Sequence, residues 1–205
     1  MTPSRSPDRP SGDCRSDLSD NPPRRVFSCS PRDGRRLEGL PPIVSAATVV
    51  LVLGSFPGAR SLAQGRYYAH PQNHFWKILQ ALWPSSPLPP STAYPERSDW
   101  LLARGLGVWD VYGTCAREGS LDASIRDAVL NDFAALDLPR LAAVAHNGAE
   151  SFRHSAKVVD ALHQGGHAPL PAYKLPSTSP AHAAMSFEHK CAAWHEVFAR
   201  HGLVA

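Results

Sequence analysis

The sequence predicts an α/β domain with a parallel four-stranded sheet and helices on both faces, preceded by an unstructured arm. Three observations carry that expectation. Thr48–Leu53 (TVVLVL) is a continuous run of branched and aliphatic residues stopped by Gly54, the pattern of a strand buried on both faces. From there to the end, strand-like and helix-like segments alternate, as a parallel sheet with crossover helices requires. The first and last strands also run into loops of small residues, Gly54–Gly58 and Pro176–Pro180. In this architecture ligands bind in a cleft outside the strand carboxyl ends.

The elements follow in order. Met1 to about Glu38 is rich in Pro, Ser, Arg and Asp and nearly free of aliphatic periodicity. Such a segment buries too little apolar surface to offset its ordering entropy and reads as a disordered arm. The folded domain then runs over residues 39–205. After the first strand, Phe75–Trp83 (FWKILQALW) has apolar residues at helical spacing and stops at Pro84. Ser85–Pro95 is a Pro-rich loop, Asp99–Arg104 a short helix running into Gly105, and Gly107–Tyr112 (GVWDVY) the second strand. Asp122–Leu136 reads as an amphipathic helix with Ser120 as its cap. Leu141–His146 is a third strand broken at Asn147-Gly148, and Glu150–Leu162 is helical. Ala172–Leu175 is a short fourth strand, and Phe187–His201 is the closing helix, ended by Gly202.

Composition excludes several classes. At 205 residues the chain suits one well-cored domain plus an arm. No apolar run is long enough to span a bilayer, and the N-terminus has no apolar stretch of the kind a secretory signal carries. Cys14, Cys29, Cys115 and Cys191 are scattered without a C-x-x-C pair, so neither a disulfide framework nor an iron–sulfur cluster is expected. Of the formal charge of +3, the first 38 residues hold 8 Arg against 6 Asp and Glu, or +2. The folded body is therefore close to neutral, and net charge alone points to no nucleic-acid partner. Of the His pairs at i,i+4, His70/His74 spans Pro71 and His163/His167 spans Gly165-Gly166. Neither is helical, so no metal site is expected, and no cofactor either.

Two loops carry the chemistry. Gly54-Ser55-Phe56-Pro57-Gly58 follows a strand as phosphate-cradling turns do, but lacks the Lys-Ser/Thr of a P-loop and the G-x-G-x-x-G of a dinucleotide fold. By itself it is as well read as a tight structural turn. It leads into Tyr67–Trp76 (YYAHPQNHFW), where Asn73 can serve as a helix cap or as a functional amide and Tyr68 as packing or as a stacking platform. Asp110, at the end of the second strand, is an acceptor for a ligand N–H or a structural carboxylate near Arg117. Ser177 and Ser179, in Leu175–His182 (LPSTSPAH), offer hydroxyl donors or merely shape a turn.

Val49–Trp76 and Leu175–His182 together resemble the uracil-DNA glycosylase superfamily, and within it the hypoxanthine-DNA (deoxyinosine) glycosylase branch. The resemblance covers about Leu37–Phe198. It implies a uracil-DNA glycosylase-like three-layer sandwich with a central parallel four-stranded sheet and a DNA cleft across its strand carboxyl ends. It also implies a monofunctional enzyme that hydrolyses the N-glycosidic bond of deaminated bases, hypoxanthine foremost, as a monomer acting on DNA in the cytoplasm at the nucleoid. Gly54, Ser55 and Phe56 would bind the substrate, in the turn that in relatives carries the water-positioning residue. Asn73 would be catalytic, Tyr68 would stack on the extruded base, Asp110 would read the base edge, and Ser177 and Ser179 would hold backbone phosphates.

Two departures stand out. Phe56 occupies the position where mismatch-specific relatives carry a catalytic Asn, and Leu175 stands where many relatives begin the second motif with His. A mismatch-specific uracil or thymine glycosylase and a non-catalytic binder of damaged DNA remain as alternatives. His182 has no assigned role, Lys174 leaves a lyase step open, and the arm is either a DNA tether or a solvated tail.

Overall fold

The computed structural model describes residues 36–182 and 184–205. Its centre is β2 (Val50–Gly54), in which Val50 to Leu53 are completely buried. Such a strand must be covered on both faces, and β-branched and aliphatic residues are what those faces accept. β2 pairs in parallel with β3 (Leu106–Asp110) on one side and β6 (Ala143–Asn147) on the other. β7 (Ala172–Leu175) adds to β6, giving the order β3-β2-β6-β7. The expected parallel four-stranded sheet is present.

The helices are α1 (Ala59–Gln64), α2 (Phe75–Leu82), α3 (Tyr94–Leu102), α4 (Ala149–Phe152), α5 (Ser155–Gln164) and α6 (Phe187–Arg200). α2 packs on α6, α3 on β3, and α6 on β7. An aromatic cluster fills the space between α2 and α6, with Phe75, Trp194 and Phe198 buried and meeting edge to face. His146 in β6 is also fully buried. Its Nδ1–H donates to Ser151 Oγ at 2.8 Å, and Ser151 Oγ in turn donates to Leu53 O at 2.8 Å. Burial lowers the His146 pKa to about 4, so the ring is neutral and ties α4 to the sheet.

Five readings from the sequence are corrected. Gly107–Tyr112 is not one strand. The chain leaves the central sheet at Asp110 and enters β4 (Tyr112–Ala116), which belongs to a second, antiparallel sheet of order β1-β4-β5. β1 is Arg36–Glu38, so those three residues, assigned to the arm, pair with β4 instead. The rest of the arm lies outside the described residues.

Asp122–Leu136 is not a helix. It is a 3₁₀ turn at Asp122–Ser124 followed by β5 (Arg126–Leu130), which runs antiparallel to β4. Asp127, Asn131 and Asp132 are poor helix formers, and the open edge of β4 offers backbone partners that an isolated helix there would forgo. α3 begins earlier than expected, with Pro95 inside its first turn, where its missing N–H costs nothing. Glu150–Leu162 is two helices, α4 and α5.

Parallel pairing has one consequence for chemistry. β2, β3, β6 and β7 all end on the same side, at Gly54, Asp110, Asn147 and Leu175. Gly54 is directly opposite Asp110, and Asn147 opposite Leu175.

Candidate active site

A cleft of about 430 Å³ opens at these strand ends. Its walls come from the turn after β2 (Gly54, Ser55, Phe56), the loop before α2 (Tyr68, Asn73), and the end of β3 (Asp110). The loop after β7 (Ser177, Ser179) completes them, so every residue that the resemblance assigns to the site lines one hollow.

The Gly54–Gly58 turn is held by a segment far along the chain. Ser55 Oγ donates to Asp122 Oδ1 at 2.6 Å, and Ser120 Oγ accepts the Ala59 N–H at 3.0 Å. Arg117 donates to Pro57 O and lies over the Phe56 ring, 5.0 Å from its centroid. Ser120 is therefore a cap, but of α1 rather than of the helix the sequence suggests. Phe56 itself is buried; it shapes the turn and supplies no polar group to the cleft.

Asp110 sits behind this turn, 3% exposed. A Cβ on Gly54 would overlap Asp110 Oδ1, so only glycine at position 54 admits the carboxyl group. Oδ2 is buried without a hydrogen-bond partner. Burial, reinforced by Asp122 and opposed by Arg117, pushes the Asp110 pKa up to about 8. Burial therefore favours the neutral carboxyl over an ionised acceptor. No ion pair with Arg117 forms, and Asp110 caps no helix.

Tyr67–Asn73 is braced from three directions. Tyr67 N–H donates to Tyr94 Oη at 2.7 Å, Trp76 Nε1–H to Tyr67 O at 3.1 Å, and Ala69 N–H to Ser61 Oγ at 3.2 Å. This bracing holds Tyr68 at φ 55°, a left-handed conformation that costs a bulky residue on the order of 1–3 kcal/mol. The Tyr68 ring stacks on Phe75 with centroids 4.0 Å apart, which takes one of its faces. Its hydroxyl is buried next to Asp110 and Asn147. Asn73 Oδ1 accepts the Phe75 N–H at 2.9 Å. The capping role is thus real, and it uses one of the two lone pairs on that oxygen.

The last wall is the loop after β7. Ser177 Oγ accepts the Ser179 N–H at 3.2 Å and Ser179 Oγ accepts the Ala181 N–H at 3.3 Å. Neither hydroxyl hydrogen has an acceptor among the described residues, so both remain available as donors. The loop is anchored by a residue pair not foreseen from the sequence. Asn147 Nδ2 donates to Thr178 Oγ1 and Asn147 Oδ1 accepts the Thr178 N–H, both at 2.9 Å. Thr178 O then accepts the His74 N–H at 2.9 Å, linking the two functional loops. The only signal for this in the sequence is Asn-Gly at the strand end. There Gly148 takes φ 106° and passes close to Ser177.

The family model for the uracil DNA glycosylase superfamily matches residues 41–198. The chain belongs to that superfamily.

Two relatives are hypoxanthine DNA glycosylases. The one from Methanosarcina barkeri is 36% identical over 116 residues, 56% of this chain and 72% of that protein. The one from Methanosarcina acetivorans is 34% identical over 113 residues, 54% of this chain and 70% of that protein. A G/U mismatch-specific uracil DNA glycosylase from Schizosaccharomyces pombe is 31% identical over 101 residues, 49% of this chain and 29% of that protein. Among solved structures, a candidate uracil DNA glycosylase from Methanosarcina acetivorans aligns with a TM-score of 0.67 at 29% identity. That alignment covers 82% of this chain and all but 1% of the other.

Within this member of the superfamily, the other carboxylates of the cleft are already engaged. Glu150 Oε1 accepts the Tyr112 hydroxyl at 2.7 Å, and Oε2 pairs with Arg153 at 2.9 Å. Asp122 holds Ser55. His182 lines the cleft, and its backbone carbonyl accepts from the buried Lys190 Nζ at 2.8 Å. Lys174 is an exposed residue of β7 outside the cleft lining, which removes the motive for a lyase step at that lysine.

Proposed function

We propose that the protein is a DNA glycosylase that hydrolyses the N-glycosidic bond of deaminated bases, hypoxanthine foremost, releasing the base and leaving an abasic site. The observation that carries this reading is the meeting of Asn73 and the buried Asp110 carboxyl, its Oδ2 without a partner, in one cleft at the sheet's carboxyl edge. The kinship with hypoxanthine DNA glycosylases supports it.

The mechanism follows from what the cleft offers. A base stacked in a duplex is out of reach, so the nucleotide is extruded, and a mispaired base costs least to open. A cleft of about 430 Å³ is at the small end of the range that holds a compact ligand. Hypoxanthine presents N1–H beside a carbonyl. A protonated carboxyl is its complement, since the Asp110 C=O accepts N1–H and the Asp110 O–H donates to O6. The donated hydrogen bond also stabilises charge that collects on the base as the bond breaks. Ser177 and Ser179 donate to the flanking phosphates, positioning the strand without adding sequence preference.

Among the described residues, no uncommitted carboxylate lines the cleft. Burial favours the neutral form of Asp110, while Asp122 and Glu150 are committed to Ser55 and to Tyr112 with Arg153. Water capture therefore follows bond breaking. Asn73 orients that water through the lone pair of Oδ1 that Phe75 leaves unused, and does not deprotonate it.

Uracil carries a similar N–H beside a carbonyl, so Asp110 alone does not exclude it. Uracil excision is the second reading. The test is the purified protein on oligonucleotides carrying inosine, uracil or xanthine, with alkali to cut abasic sites. Fastest cutting at inosine is expected. Tight binding with no cutting of any of the three would make the protein a binder of damaged DNA instead.

A further inference from the structure

A second hollow, of about 810 Å³, adjoins the cleft, and Tyr68, His70 and Asn73 line both. Its walls come from α1, the Arg66–Asn73 loop, α2 and α3. Four permanent cations line it, Arg60, Arg66, Lys77 and Arg97, and none of the lining residues is acidic. That is a local concentration, because residues 39–205 hold 13 Lys and Arg against 12 Asp and Glu.

The cations are positioned without being neutralised. Arg66 Nη1 donates to Ser91 O at 2.9 Å, with its guanidinium 5.8 Å from the Tyr94 ring centroid. Arg97 Nε donates to Pro89 O at 2.7 Å and stands 5.1 Å over Trp76. Carbonyls and ring faces orient a guanidinium but leave its charge in place. Arg60 and Lys77 are exposed, and the two ion pairs among the described residues, Arg153–Glu150 and Arg200–Glu196, involve none of the four. A groove walled by one sign of charge attracts a polyanion. Its continuity with the cleft through Asn73 and His70 identifies which one.

We infer that this hollow is the path of the substrate strand, holding the phosphodiester backbone that leads away from the extruded nucleotide against Arg60, Arg66, Lys77 and Arg97. The inference rests on the proposed function for the extruded nucleotide, but not on any chemical step. Trp76 and Tyr94 each carry an arginine over the ring, so this part of the groove reads backbone charge rather than bases, and its contribution is independent of sequence.

The test compares wild type with Arg60→Ala/Lys77→Ala, with Lys77→Glu, which touches the groove alone, and with the control Arg140→Ala/Lys157→Ala. The control removes the same charge from exposed positions that line neither hollow. Binding to an undamaged single-stranded oligonucleotide and to its duplex is measured over a range of salt. Each lost phosphate contact removes about 0.7–0.9 from the slope of log K against log salt, so the groove double variant is expected to be shallower by about 1–2. Lys77→Glu should weaken binding in the same direction, and the control should keep the wild-type slope. A wild-type slope in the groove variants, or an equal loss in the control, overturns the inference. Failure to excise any damaged base, with the slope change present, would instead sink the proposed function and leave the groove standing.

Discussion

The Asn73 side-chain oxygen accepts the Phe75 N–H at 2.9 Å and the residue lines the cleft, so removing the amide has two consequences that differ in size. Loss of the cap costs about 1 kcal/mol of stability. Loss of an orienting group at a reacting centre slows a reaction by about 10²–10³. Asn73→Ala is therefore expected to melt only slightly earlier in urea while single-turnover excision at inosine falls by that larger factor. Excision within a few-fold of wild type would leave Asn73 as a cap alone.

Asp110 yields a prediction with a definite sign. Its folded pKa of about 8 lies above the ordinary carboxyl value, so the folded state holds a proton that the unfolded state releases between about pH 4 and pH 8. Across that window the group lowers stability as pH rises, by at most about 1.4 kcal/mol per pH unit, and the penalty is constant above it. Asp110→Asn, the uncharged counterpart of the protonated acid, is expected to gain stability over wild type progressively from pH 4 to pH 8. The amide still presents C=O to N1–H and NH₂ to O6, so inosine excision persists and loses the decline that wild type shows above pH 8. The check is pH profiles of melting and of single-turnover excision for both proteins. A wild-type rate that rises through pH 8 would mean that the ionised acid is the reading form.

Among elements, the Arg117–Ser124 segment shows how the site is assembled. Its residues make three separate contacts to the Gly54–Gly58 turn and to α1, through Arg117, Ser120 and Asp122. In sequence it looks like the entrance to an amphipathic helix, because Ser120 precedes an apolar-periodic stretch. Periodicity over a short stretch does not distinguish a helix from a strand that completes another sheet, and the edge of β4 decides between them. The β6 and β7 carboxyl ends are joined in a comparable way by Asn147 and Thr178. Asn147→Ala would leave the buried Thr178 N–H and hydroxyl without partners, a loss of about 1–3 kcal/mol. Weaker DNA binding is expected with it, since Ser177 and Ser179 flank Thr178. Urea unfolding and a binding isotherm check the two effects, and an unchanged isotherm would separate the clamp from phosphate binding.

For the whole molecule, charge and layering set the behaviour. The described residues contain no helix long and apolar enough to cross a membrane. Residues 1–33 hold 6 Arg against 5 Asp, which nearly cancel, so the segment offers phosphates little beyond weak, salt-sensitive contacts. A variant starting at Gly34, which keeps β1, is expected to excise inosine from short oligonucleotides at the full-length rate under single-turnover conditions. A lowered melting temperature in that variant would show that the removed residues pack on the domain.

The sequence by itself determined the parallel sheet, since a strand such as Val50–Leu53 is stable only when covered on both faces. It also determined the candidate residues, because Gly54, Asn73, Asp110 and the Ser177–Ser179 loop lie at strand ends and in flanking loops that the alternation of elements makes legible. Tertiary structure decided what those residues are chemically. Burial raises the Asp110 pKa because Gly54, the turn above it and its neighbours exclude water from the carboxyl, and that exclusion is assembled from strands β2 and β3, distant in the chain. The Asn147–Thr178 pair, the Ser120 cap of α1 and the four-cation groove likewise join segments distant in sequence. Local propensity and periodicity report on neighbours along the chain, whereas burial, and with it charge state and partner choice, is set by neighbours in space.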